Sequence, residues 1–236
     1  MFGPYKLEAL STFAGDIDGI IILITVLVGF WFILAQGALL GFSWRYRRQE
    51  GRRASYISGE NAREFKWVFV PLALIVMCDI YIALSDGPVW AKVKEDLPKS
   101  NAVINVIAQQ WAWTFVHPGP DGTIDTADDV ATVGEMHVEV GKVYHFRLSS
   151  KDVLHSFSVP VFRLKQDIIP GRVITGWFEA TGTGTYDIQC TEICGIGHGL
   201  MPARIVIETP EQHAAWVAEH SALSFAATDL PYTAQE

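Results

Sequence analysis

The sequence predicts a two-helix membrane hairpin followed by an all-β sandwich. Two apolar runs, 20–42 and 67–84, stand near the start of the chain, and beyond residue 85 the apolar residues fall into short β-rich stretches separated by Gly and Pro. The charge is divided in the same place: residues 85–236 hold 10 Lys and Arg against 19 Asp and Glu, while the segment joining the apolar runs is basic. A mean hydropathy of +0.22 and an apolar content of 50% exclude disorder and are high for a soluble protein. Three cysteines in 236 residues cannot build a disulfide-rich scaffold, and a net charge of −8 argues against a nucleic-acid partner.

The first run, IIILITVLVGFWFILAQGALLGF, has no charged residue. At about 1.5 Å per residue it spans a hydrocarbon core of roughly 30 Å. The second, WVFVPLALIVMCDIYIAL, is shorter and contains Pro71 and Asp79, both tolerated in membrane helices that have neighbours to satisfy them. A buried helix of a soluble protein is the alternative for each run. A cleaved signal peptide is not expected, because Lys6 is the only basic residue before the first run, the run is too long and no A-x-A site follows. Arg45, Arg47, Arg48, Arg52, Arg53, Arg63 and Lys66 lie between the runs, against Glu50, Glu60 and Glu64. Short cytoplasmic loops collect Lys and Arg, which puts this loop inside and both termini outside. Trp44 and Trp67 fall at the inner interface, and Cys78 reads as helix packing.

The expected divisions are residues 1–90 for the N-terminal segment and hairpin, 91–220 for the β domain and 221–236 for a loosely held tail. Within the domain, 103–116, 136–140, 143–148, 173–180, 185–190 and 203–208 read as strands, punctuated by PGPDG, Gly141, PGR and GTG. A last helix is expected near Pro210, carrying Trp216. The acidic loop with Asp121, Asp125, Asp128 and Asp129 lacks the full EF-hand spacing and reads as solvated, with calcium as the alternative.

The stretch DIQCTEICGIGHGLMPARI holds Cys190, Cys194, His198 and Met201 on a loop between two predicted strands. Two thiolates, an imidazole and a thioether are soft donors that suit copper, whereas structural zinc sites seldom recruit Met. A mononuclear blue-copper site uses one Cys, so a second thiolate four residues away is free to bridge a pair of metals. His155, in KDVLHSFSVP, is the best further imidazole, on a strand whose neighbours alternate. A disulfide is the plain alternative in an oxidising compartment, but it leaves His198 and Met201 without a role. His117, His137 and His145 read as ordinary strand histidines.

The segments DVLHSFSVP, LKQDIIPGR and QCTEICGIGHGLMP resemble the copper domain of subunit II of cytochrome c oxidase, a haem–copper oxidase. The resemblance runs over essentially the whole chain and implies a cupredoxin-like domain with a binuclear mixed-valence copper centre, CuA, that takes single electrons from cytochrome c. It implies that Cys190 and Cys194 bridge two copper ions, that His155 and Met201 complete one, and that His198 and the carbonyl of Glu192 complete the other. The Glu192 side chain corresponds to a magnesium ligand at the interface with subunit I, which holds the haem and the oxygen chemistry. Subunit III and membrane lipid are further implied partners.

In AQQWAWTF the resemblance makes Trp111 the residue that receives the electron, with Trp113 on the same face as a core aromatic; Gln109 stands where the family usually has His. Glu64, in REFKWVFVP, corresponds to the mouth of the family's K proton pathway, the alternative being a carboxylate favoured at a helix start. Asp152, Asp167 and Arg172 are expected at the polar interface with subunit I or, nearly as well, as turn residues.

Other functions compete. A quinol oxidase subunit shares the fold but lacks the copper ligands. A membrane-tethered copper carrier or chaperone favours open or Met-rich sites, and this chain has only four Met. Nitrous oxide reductase adds a large propeller. No C-x-x-C-H occurs, so the donor haem is expected on another chain. The expected location is the bacterial plasma membrane, with the mitochondrial inner membrane as the alternative.

Overall fold

The structure, a computed structural model, describes residues 8–53 and 56–224. It divides into a helical unit, Asp16–Ala91, and a β unit that starts at Lys92 and includes the residues up to Gly15.

In the helical unit, α1 (Ala14–Arg45) and α2 (Ala62–Trp90) contain the two apolar runs. Thirty-two and 29 residues are each ample for a bilayer span. None of the most apolar stretch of either helix is buried, so neither is the core helix of a soluble fold. Their Ile, Leu, Val and Phe side chains point outward, as lipid contact requires. Pro71 and Pro88 both lie inside α2, and a π-helical turn over Ala91–Glu95 follows.

The β unit is a sandwich of two five-stranded sheets. Its strands are β1 (Ala102–Gln109), β2 (Ala112–His117), β3 (Val130–Val133), β4 (Glu135–Glu139), β5 (Val143–Ser150), β6 (His155–Val159), β7 (Leu164–Ile168), β8 (Ile174–Glu179), β9 (Gly184–Cys190) and β10 (Ala203–Glu208). One sheet runs β3-β2-β1-β5-β8, the other β4-β10-β9-β6-β7. Inward residues alternate along the strands: Trp113, Phe115 and His117 on β2, Tyr144, Phe146 and Leu148 on β5, and Ala203, Ile205 and Ile207 on β10. Phe146, Phe157, Phe162 and Phe178 pack against one another between the sheets.

The stretch 103–116 is not one strand. It folds into the β1–β2 hairpin with Gln110 and Trp111 as the two-residue turn, joined by a cis peptide. Strand alternation therefore does not relate Trp111 to Trp113: Trp111 is 39% exposed at the turn and Trp113 only 1% in the core. The alternation expected around His155 is also absent, because all five residues of β6 are buried.

Residues 8–15, read from the sequence as part of the helical segment, bond into the β unit. Leu10 N–H donates to Val161 O at 2.8 Å, Thr181 N–H donates to Leu10 O at 2.9 Å, and buried Phe13 meets Trp177 edge-on. At the other end, α3 (Pro210–Ser224) runs into the region expected as tail; residues 225–236 lie outside the described residues. Trp216 of α3 stacks on His137 at 4.1 Å, and the Glu208 carboxylate accepts from Nδ1–H of both His137 and His213.

Candidate metal centre

Strand register assembles the site. β6 pairs antiparallel with β9, Phe157 opposite Cys190, so the start of β6 lies beside the loop leaving β9. His155 opens β6, Cys190 closes β9, and Cys194, His198 and Met201 follow on the loop before β10. A 3-10 turn over His198–Leu200 turns that loop back, with His198 N–H donating to Gly195 O at 3.1 Å.

All five sequence-predicted side chains meet there. His155 Nδ1 lies 3.8 Å from Cys190 Sγ, the two sulfurs are 4.0 Å apart, and His198 Nδ1 is 3.6 Å from Cys194 Sγ. Met201 Sδ stands 3.3 Å from Cys194 Sγ, and the Glu192 carbonyl is 3.3 Å from Cys190 Sγ. The sulfurs are unbonded to each other. His155, Cys190 and Cys194 form the only group of three able to hold a metal ion among the described residues. The acidic loop is not such a group; its carboxylates accept from Thr123, Thr126 and Asp125 of the same loop, and Asp125 pairs with Arg147.

The inner side of the site is buried, while Cys190 and His198 are partly exposed. His155 is fully buried, and Cys194 and Met201 are 2% exposed. Burial, followed by the neighbouring Cys190, pushes the Cys194 thiol up to about 11. The Trp113 indole N–H donates to Met201 O at 2.9 Å, fixing the thioether's backbone from the core. Asp152, expected at a subunit interface or turn, accepts from His155 Nε2–H at 2.9 Å. Burial opposes its ionisation, but the bonds from Gln110 N–H, His155 and Val153 N–H outweigh it and hold its pKa below the ordinary carboxylate value. Sequence reasoning missed this role, although the D-x-x-H spacing within DVLH was a readable signal.

Trp111 sits over the ligand loop. A Cβ at Gly197 would overlap its indole, and one at Gly195 would stand 3.2 Å from its Cζ2. The Glu192 carboxylate pairs with Lys165 Nζ at 3.1 Å. One carboxylate already held by a cation does not make a magnesium site on this chain alone. Glu64 belongs to the helical unit, in the first turn of α2, where its carboxylate accepts from Gly59 N–H at 2.7 Å. Asp167 lies 3.9 Å from Lys165, and Arg172 is exposed in a turn.

Residues 102–209 match the family described as cytochrome c oxidase subunit II, periplasmic domain. The alternative cytochrome c oxidase subunit 2 of Bradyrhizobium diazoefficiens is 30% identical, over 93% of this chain and 85% of that protein. The chain belongs to the cytochrome c oxidase subunit 2 family. The cytochrome c oxidase subunit 2 of Thermostichus vulcanus is also 30% identical, over 83% of this chain and 72% of its own length. A crystal structure of the periplasmic domain of cytochrome oxidase subunit II from Bradyrhizobium japonicum is 29% identical, with a TM-score of 0.49, covering 54% of this chain and 99% of that one. As a subunit 2, the chain is part of a respiratory oxidoreductase, with two helices able to span a membrane and a cupredoxin-like domain.

Proposed function

We propose that this subunit accepts electrons from cytochrome c at a binuclear copper centre and passes them to haem in subunit I, where O2 is reduced to water with coupled proton translocation. The observation that carries this reading is the pair of unbonded sulfurs 4.0 Å apart, each facing its own imidazole, with a thioether and a carbonyl alongside. Such a donor set fits two soft metal ions better than one. Cys190 and Cys194 would bridge them, His155 and Met201 would complete one copper, and His198 with the Glu192 carbonyl the other.

When bound, the copper pair supplies a one-electron carrier whose charge is shared over two metals. The protein's part is to keep ligand positions unchanged as that charge comes and goes. The β6 and β9 ends, the Trp113–Met201 bond and the Asp152–His155 bond do this, because His155 and Met201 are each held by a partner that is not itself a ligand and Cys190 is held in the β6–β9 pairing. Trp111, partly exposed over the ligand loop, is the residue that meets the donor. The excess of Asp and Glu in residues 85–236 attracts a cationic cytochrome and makes its encounter salt-dependent.

The basic loop between the helices lies in the cytoplasm and the β domain on the outer face of a bacterial plasma membrane. Glu64, at the start of α2, would then gather protons at the inner surface for the K pathway of subunit I. Subunit I and subunit III are the neighbours of the two helices in the bilayer.

The test is stopped-flow reduction of the assembled oxidase by reduced cytochrome c. A fast, salt-sensitive reduction of the copper centre that precedes haem reduction, and that slows in Trp111→Phe, supports the proposal. Haem reduction that precedes copper reduction would contradict it.

A further inference from the structure

Gln110 makes two bonds that no other residue in the β1–β2 turn makes. Its side-chain Nε2–H donates to the carbonyl of Cys194 at 2.7 Å, and its backbone N–H donates to Asp152 Oδ2 at 2.6 Å. Asp152 in turn holds His155. One turn residue thus ties the loop carrying Cys194 to Asp152, on the loop before His155, and the next residue in the chain is Trp111. A Cβ on Gly195 would come within 2.9 Å of Gln110 Nε2 and 3.2 Å of Trp111 Cζ2, so both side chains occupy the space that a side chain at Gly195 would need. The left-handed φ of +128° at Gly195 reserves that position for glycine.

We infer that Gln110 is a positioning residue for electron acceptance: the hydrogen bond from its side-chain amide to Cys194 O registers the Trp111 indole against the ligand loop. This rests on the proposed role of Trp111 and of the copper pair. Without the amide, the turn keeps its backbone bond to Asp152 but loses its grip on the loop, and the indole is free to lift from Gly195 and Gly197. A change of this kind alters the path into the centre without altering the ligands.

The test compares the assembled oxidase with its Gln110→Ala and Gln110→Glu variants; the second preserves side-chain size and removes the amide donor. Copper content and the EPR pattern are measured first, then reduction by a basic, soluble cytochrome c at low ionic strength. Onward transfer to haem is measured after reduction of the centre by a small ruthenium photoreductant, which bypasses the cytochrome. The expected result in Gln110→Glu is an intact copper pair, unchanged onward transfer and reduction by cytochrome c slowed by about tenfold to a hundredfold, the upper figure being what a misplacement of about 1 Å can cost. A parent-like rate with the copper pair intact overturns the inference, and so does loss of the pair from both variants, which would make Gln110 part of the metal scaffold. A parent oxidase lacking the paired signal would instead overturn the functional proposal, so the two failures are distinguishable.

Discussion

The Nε2–H of His155 donates to Asp152 Oδ1 at 2.9 Å, while the His155 Nδ1 faces Cys190 Sγ. The bond fixes which ring nitrogen carries the proton and leaves the Nδ1 lone pair directed toward Cys190 Sγ, free to ligate a metal. Metal-bound histidines are commonly oriented in this way, and removing the partner lowers metal affinity by about 10–100-fold. Asp152→Ala should therefore weaken copper binding on that scale and broaden the EPR hyperfine pattern, with the fold intact by circular dichroism. Unchanged affinity and spectrum would show that the bond does not orient His155.

Metal loading should depend on pH. In the metal-free protein Cys194 keeps its proton well above neutrality, with burial as the first cause and Cys190 as the second. A metal must expel that proton, so affinity rises with pH by about tenfold per unit from this group alone. Competition titrations with a copper chelator between pH 6.5 and 8.5 should give a slope of at least one proton. A flat profile would mean that the thiol is already ionised.

Domain stability should fall in acid for a reason unrelated to the metal. His117 is fully buried, accepts from His137 N–H at Nε2 and donates from Nδ1 to Val130 O. Burial first, and then the neighbouring histidines, depress its pKa to about 3, against 6.5 for an ordinary imidazole. The unfolded chain therefore binds a proton between these values that the folded domain refuses. Stability is retained above 6.5 and is lost at up to about 1.4 kcal/mol per pH unit as the pH falls below it. Urea unfolding of parent and His117→Gln should show this slope in the parent and a shallower one in the variant; equal slopes would contradict it.

Replacing Gly197 by Ala should disturb Trp111 directly, because the new Cβ would collide with the indole, to which the three atoms nearest it all belong. Tryptophan fluorescence should shift and the copper content should stay at the parent value. An unshifted spectrum would mean that the ring does not lie on that glycine.

The clustering of the soft side chains was legible in the sequence because four of them lie within twelve residues and DVLH supplies the fifth in a recognisable setting. The membrane helices were legible because uncharged apolar runs of that length have few other uses. The β1–β2 turn was not, since Gln110 and Trp111 carry none of the Gly, Pro or Asn signals of tight turns. Cross-strand contacts decided the rest. No periodicity reveals that residues 8–15 bond to Val161 and Thr181, or that β6 is covered on both faces. Asp152 was visible as a residue, but its bond to His155 depends on how the loop before β6 folds.

The most direct measurement is low-temperature EPR with copper counting on the purified chain. Two coppers per chain and a seven-line hyperfine pattern, lost in Cys194→Ser, are expected. One copper with four lines, or Cys190 and Cys194 joined as a disulfide in the metal-replete protein, would contradict it.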